Sequence, residues 1–244
     1  MEEFLKTKHD LIFENDELLT FRKLIHMNIY NIDQRSKNVS FISPSMLTKE
    51  LNKCTRDKKT STNLRNILSV SHNCTRNIVV IINKIMRYAA LQPLFRKHYS
   101  TLFIDWYNAC KTKHEIINAL NLFLSLLHFN QSAHETEENE YLSFCTSQKK
   151  KTLVIGSYTF VCILMQNGLP ECEQIIDNFI VNELISRKNE YFVEILCGIM
   201  AEIPYSFIKK YLPAIKKMDH FLKKGSQTRK RLLLLNAIDD IKRI

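Results

Sequence analysis

The sequence predicts an all-α chain, and three observations predict it. Glycine and proline are scarce, at 4 and 5 of 244 residues, which disfavours turn-rich sandwiches and glycine-dependent nucleotide folds. Hydrophobic residues make up 45% of the chain, enough for one substantial core with a separate arm. From about residue 62 onward the apolar positions recur at i, i+3, i+4 and i+7, the spacing that lines one face of a helix.

Taken in order, residues 1–61 read as an N-terminal arm. The stretch "HDLIFENDELLTFRK" (9–23) places four polar residues between Phe13 and the pair Leu18 and Leu19. A helix capped by Asn15 or Asp16 would put Leu18, Phe21 and Ile25 on one side, the pattern of a peptide that lies in a partner's groove. Residues 26–61 are more polar, include "RSKNVS" and "TRDKKTST", and are expected to form a mostly extended linker.

The body, 62–244, carries four apolar faces. They are Ile78, Ile81, Ile82, Ile85 and Met86; Ile116, Leu120, Phe123, Leu124 and Leu127; Ile175, Ile176, Phe179, Ile180 and Leu184; and Phe192, Ile195, Leu196 and Ile199. Pro93, the polar run at 130–139, Gly168-Leu169-Pro170 and Pro204 punctuate them. Helices that each need a neighbour, joined by short turns, predict a solenoid of about five antiparallel pairs with a HEAT-type period of ~40 to 47 residues.

Charge is unevenly placed within a formal net of +10. Residues 61–131 hold 8 basic against 2 acidic residues, 132–204 hold 5 against 11, and 205–244 hold 11 against 3. An acidic middle between basic flanks suits a polyanion or an acidic partner meeting particular faces. Lys216-Lys217 and Lys223-Lys224 stand seven residues apart on a helix expected from Pro213 to Gly225, so they share a side. Such a stripe binds phosphates without reading sequence and with strong salt dependence. Lys209-Lys210 continues the spacing, and Lys149, Lys150 and Lys151 form a second candidate.

The 7 cysteines include no CxxC pair, which predicts reduced core residues, Cys162 and Cys197 among them, with no disulfide framework or zinc site. The start "MEEFLKTKHD" is too polar for a secretory signal, and "LVIGSYTFVCILM" is shorter than the ~20 residues that span a bilayer. A cytoplasmic protein off the membrane is expected. "HETEEN" has no second histidine four places after His134, and neither a phosphate loop nor a nucleophile elbow occurs. No enzyme, no cofactor and no metal is the expectation.

Four segments then resemble, in order, the middle domain of eukaryotic translation initiation factor 4 gamma. In "IINKIMRYAALQPLFRKHYSTLF" (81–103), Ala89, Pro93, Phe95 and Tyr99 stand where that family carries Ala, Pro, an aromatic and Tyr. "LRNILS" (64–69) is similar to the lead-in, "IGSYTFVCIL" (155–164) to a Leu-Gly-Asn-Ile helix, and "RKRLLLLNAIDDIKR" (229–243) to the final Arg-rich helix; "EILCGIM" (194–200) also fits. Leu232 departs from the aromatic more usual in that last helix.

The resemblance implies a non-catalytic translation initiation scaffold in reduced form. Phe13, Leu18, Leu19 and Phe21 would dock the cap-binding translation initiation subunit, with Phe13 in place of the family's tyrosine. The body would clamp a DEAD-box RNA helicase through Arg65 and Leu68 at one end and Arg229, Arg231 and Leu232 at the other, and would bind mRNA. The same domain type also occurs in splicing, mRNA decay and nuclear cap-binding scaffolds. A plain RNA-binding helical repeat protein is a further reading of the same residues.

Overall fold

A computed structural model describes residues 42–57, 62–70, 75–129, 140–186, 190–202, 205–224 and 228–243, and among them every regular element is helical. The docking peptide predicted around 11–25 lies outside the described residues. In chain order the helices are α1 (Pro44–Asp57), α2 (Thr62–Val70), α3 (Thr75–Leu91), α4 (Arg96–Ala109), α5 (Lys113–Phe129), α6 (Glu140–Gln166), α7 (Glu171–Asn178), α8 (Glu190–Ile199), α9 (Tyr205–Ile208), α10 (Leu212–Lys224) and α11 (Thr228–Arg243). A π-helix, Phe179–Ser186, prolongs α7. Short 3-10 turns at Pro93–Phe95, Met200–Glu202 and Lys209–Tyr211 join or extend others.

The first finding corrects the linker. Residues 44–57, expected to be extended, form α1, and its Leu47 and Leu51 are fully buried in the common core. Spaced i, i+4, they make a stripe only two residues wide, too narrow to stand out in a polar sequence. Pro44 opens the helix at a position where its missing N–H is no loss. The backbone N–H of Ile42 donates to Asn77 Oδ1 at 3.0 Å, tying the helix entry to α3. The folded body therefore includes Ile42 onward and does not begin at residue 62.

Each predicted face lies inward where its side chains are described. Ile78, Ile81, Ile82, Ile85 and Met86 of α3 are buried, as are Ile116, Leu120, Phe123 and Leu124 of α5 and Ile195, Leu196 and Ile199 of α8. Pro93 starts the 3-10 turn that ends α3. The guanidinium of Arg96 then closes the corner, donating from Nε to the Ala89 carbonyl at 2.9 Å and from a terminal nitrogen to the Ala90 carbonyl at 3.1 Å. Tyr99 below it donates to Gln92 Oε1 at 3.0 Å and meets Tyr88 edge-on at 6.1 Å. At the far end of α6, Gly168 takes φ +97°, which suits a residue without Cβ and lets Leu169 N–H return to the Leu164 carbonyl at 3.0 Å.

Packing follows chain order. The most extensive contact is α3 on α6; α6 also packs on α8, and α8 on α11. Alongside that row, α5 lies on α3, α7 on α6, and α10 on α11. Among the described residues, all the substantial contacts join helices no more than three apart in the chain. At the α3–α6 crossing the two backbones nearly touch, since a Cβ on Gly156 would sit 2.4 Å from the Ala90 carbonyl oxygen. Phe103 of α4 adds edge-on contacts with Trp106 at 5.7 Å and Phe160 of α6 at 6.2 Å.

Among the described residues no single helix is long and apolar enough to cross a membrane. The segments Thr75–Leu91 and Pro93–Ala109 meet that test only together, are bent by 114° at their junction, and contribute most of their apolar side chains to the core.

Candidate nucleic-acid and partner interface

Folding brings together two basic stretches that the sequence keeps 78 residues apart, counting from Lys151 to Arg229. Lys151 leaves α6 half-buried, and its ammonium pairs with Glu194 of α8. Because α8 packs on both α6 and α11, the start of α11 comes beside it. Burial lowers the proton affinity of Lys151, and the positive charges of Arg229 and Lys230 lower it further. Lys149 is exposed and Lys150 half-buried on the same helix, and Arg229 is exposed. Cations of two helices thus lie near one another where α6, α8 and α11 meet.

Other predicted cations are committed to the fold. Arg231 donates from Nε to Asp219 Oδ1 at 2.6 Å, pinning α11 to α10, so its guanidinium serves packing before it serves a partner. Lys210 reaches Asp177 Oδ1 at 3.0 Å, an ion pair without hydrogen-bond geometry on a buried oxygen, and its ammonium lies 4.4 Å from the Phe207 ring centre and 4.9 Å from that of Tyr211. The Lys209–Lys210 end of the expected stripe is thereby broken off by a 3-10 turn and a structural lysine. Lys216 and Lys217 are exposed on α10, which does run over almost the predicted span. Lys223 and Lys224 belong to that helix, with their side chains outside the described residues.

The predicted apolar contacts divide as well. Leu68 is only 4% exposed and sits in the core, which corrects its assignment to a contact surface; α2 turns Leu64, Ile67 and Leu68 inward and leaves Arg65 out. Leu232 is 52% exposed, with Leu233 beside it. The sequence reading missed Phe144, 60% exposed on α6, and the corner residues Leu91 and Leu94. Phe144 stands seven residues before Lys151, hence on the same side of the helix. That spacing was available as a signal beside the lysine run.

Cysteine chemistry is muted. Cys162 and Cys172 are buried free thiols, and burial pushes Cys172 up to about 12 and Cys162 higher still. Tyr107 donates to Glu171 at 2.8 Å across α4 and α7; burial first, then that bond and the carboxylate charge, raise its proton affinity well above the usual phenol range. Among the described residues no group of three or more His, Cys, Asp or Glu is placed to hold a metal ion.

No family model matches the chain, and no curated protein or solved structure does.

Proposed function

We propose that this chain is a translation initiation scaffold: a HEAT-type solenoid that clamps a DEAD-box RNA helicase and holds mRNA, with an N-terminal arm that docks the cap-binding subunit through Phe13, Leu18, Leu19 and Phe21. The observation that carries the reading is the α3–α6 crossing. Two of the four segments that resemble the middle domain of initiation factor 4 gamma, "MRYAALQPLF" and "IGSYTFVCIL", meet there at Gly156 and Ala90. Stacking restricted to near neighbours in the chain is the arrangement a solenoid requires. Residues at the two ends support a clamp, since Arg65 on α2 and Leu232 on α11 are both exposed.

In mechanism the scaffold supplies geometry. A helicase with two mobile lobes spends part of its time closed; a rigid body that contacts both lobes, better in the closed orientation than in the open one, raises the closed population by its differential affinity. A single-site contact cannot do this. Arg65 and Leu232 act as the separated contacts, and Leu232 with Leu233 offers the apolar area that a lobe surface would cover.

Partner capture tests the reading. The purified chain is expected to retain both a cap-binding subunit and a DEAD-box helicase, with Leu18→Ala plus Leu19→Ala losing the first and Arg65→Glu plus Leu232→Asp losing the second. Retention of neither partner by the unaltered chain contradicts it.

A further inference from the structure

We infer that the corner between α3 and α4, built on Leu91, Pro93 and Leu94, is the docking surface for this chain's own acidic segment, residues 10–21. The self-docking goes beyond the proposed function and does not require it. Where the arm also takes a cap-binding subunit, body and subunit compete for the same side chains.

The corner presents an apolar group held in one shape. Leu94 is 92% exposed and Leu91 53%, and Pro93 between them is exposed too, so three apolar side chains within four residues face solvent. Single exposed leucines are ordinary on a protein surface, whereas a contiguous group suits a contact. Pro93 fixes the backbone at the start of the 3-10 turn. Arg96 donates to the Ala89 and Ala90 carbonyls at 2.9 and 3.1 Å, and Tyr99 donates to Gln92 at 3.0 Å. A surface ordered in advance loses little entropy when it is covered.

Charge and chain length decide the occupant. The segment "DLIFENDELLTF" (10–21) carries Asp10, Glu14, Asp16 and Glu17 among apolar residues, with no Lys or Arg. The body has the reverse from residue 58 to residue 104, where basic residues occur and no Asp or Glu does, and Lys97 is exposed one turn after Leu94. Burial lowers the proton affinity of Arg96 at this corner, and the charge of Glu202 offsets part of that. The arm joins the body at Ile42, whose N–H is bound to Asn77 near the start of α3. Along the helix from Asn77 to Leu91 the distance is about 21 Å. Residues 22–41 separate the acidic segment from Ile42, and a random coil of that length has an r.m.s. end-to-end distance of about 25 Å. Reach and span match, which is the condition under which a tethered segment attains its highest effective concentration, about millimolar. A contact of only about 100 μM affinity is then closed about 90% of the time.

Fluorescence anisotropy tests the docking. The probe is a fluorescein-labelled synthetic peptide of residues 9–23, titrated with the full chain whose own arm is disabled by Leu18→Ala plus Leu19→Ala. That chain is expected to bind the peptide, and the unaltered chain about tenfold more weakly, since its own arm holds the corner. Leu94→Asp added to the arm-disabled chain should weaken the peptide at least about tenfold with an unchanged Tm, and Lys97→Glu about threefold at low salt. No binding by the arm-disabled chain overturns the inference, as does equal binding by the two chains. Binding that survives Leu94→Asp, or is lost instead on Leu232→Asp, overturns it too. Sedimentation velocity should show the unaltered chain as a monomer; a dimer that Leu94→Asp dissociates means that the arm crosses to a second copy, and the intramolecular contact fails. None of these readouts contains a cap-binding subunit, so failure to capture that partner leaves the inference standing, and failure here leaves the proposed function standing.

Discussion

The α3–α6 crossing and the α6–α11 flank share one helix and are built from opposite materials. At the crossing Gly156 lets two backbones approach until no methyl group fits between them, and the surrounding side chains are buried and apolar. Five residues earlier on α6, Lys151 pairs with Glu194 and meets the charges of Arg229 and Lys230. The difference teaches where the packing that holds the body together resides. A close approach of two backbones holds the row of helices together at the crossing, while the flank gathers charged side chains from two helices at the surface.

Gly156→Ala is the strongest way to break that comparison. The new Cβ meets backbone atoms, which cannot swing aside, so the crossing must open. A loss of about 3 kcal/mol is expected, seen as a fall of about 6 to 12 °C in Tm by calorimetry or circular dichroism. An unchanged Tm means the crossing is not the contact that holds the body together.

Arg96→Ala comes next. It removes both donors to the Ala89 and Ala90 carbonyls at the end of α3, and chemical denaturation should register a loss of about 2 kcal/mol. Smaller again is the pin between α10 and α11. A double-mutant cycle on Arg231→Ala and Asp219→Ala should give a coupling of about 1 kcal/mol, since the pair is part-buried and hydrogen-bonded at 2.6 Å.

Arg229→Gln should change stability least, within about 0.5 kcal/mol and in the stabilising direction, because it relieves repulsion with Lys151. A loss above about 1 kcal/mol on this change means that the flank is structural after all, and the division between the two regions disappears.

How much of this was legible in the sequence depends on the width of each signal. The faces of α3, α5 and α8 follow from apolar side chains at helical spacing, three or more to a stripe. The breaks at Pro93 and Gly168 follow from the two residues that most strongly interrupt a helix. By contrast α1 was hidden, because Leu47 and Leu51 are the only fully buried large apolar side chains among its described ones, amid polar neighbours. Leu68 read as a contact because a motif supplied its role, whereas the inward turn of α2 decided its burial. The basic stretches at 149–151 and 229–231 were each visible, but only the packing of α8 against both α6 and α11 makes them one surface. No local pattern carries that information. Nor does any local pattern say that Arg231 and Lys210 are committed to Asp219 and Asp177, since those pairs form across separate helices.

The central claim is that the helical body clamps a two-lobed motor, and steady-state ATP hydrolysis by a DEAD-box helicase tests it most directly. With single-stranded RNA present, the full chain should raise the helicase's turnover, and Arg65→Glu plus Leu232→Asp should abolish that rise while the Tm of the chain stays unchanged. Turnover that is the same with and without the unaltered chain, under conditions where both proteins bind RNA, would contradict the account.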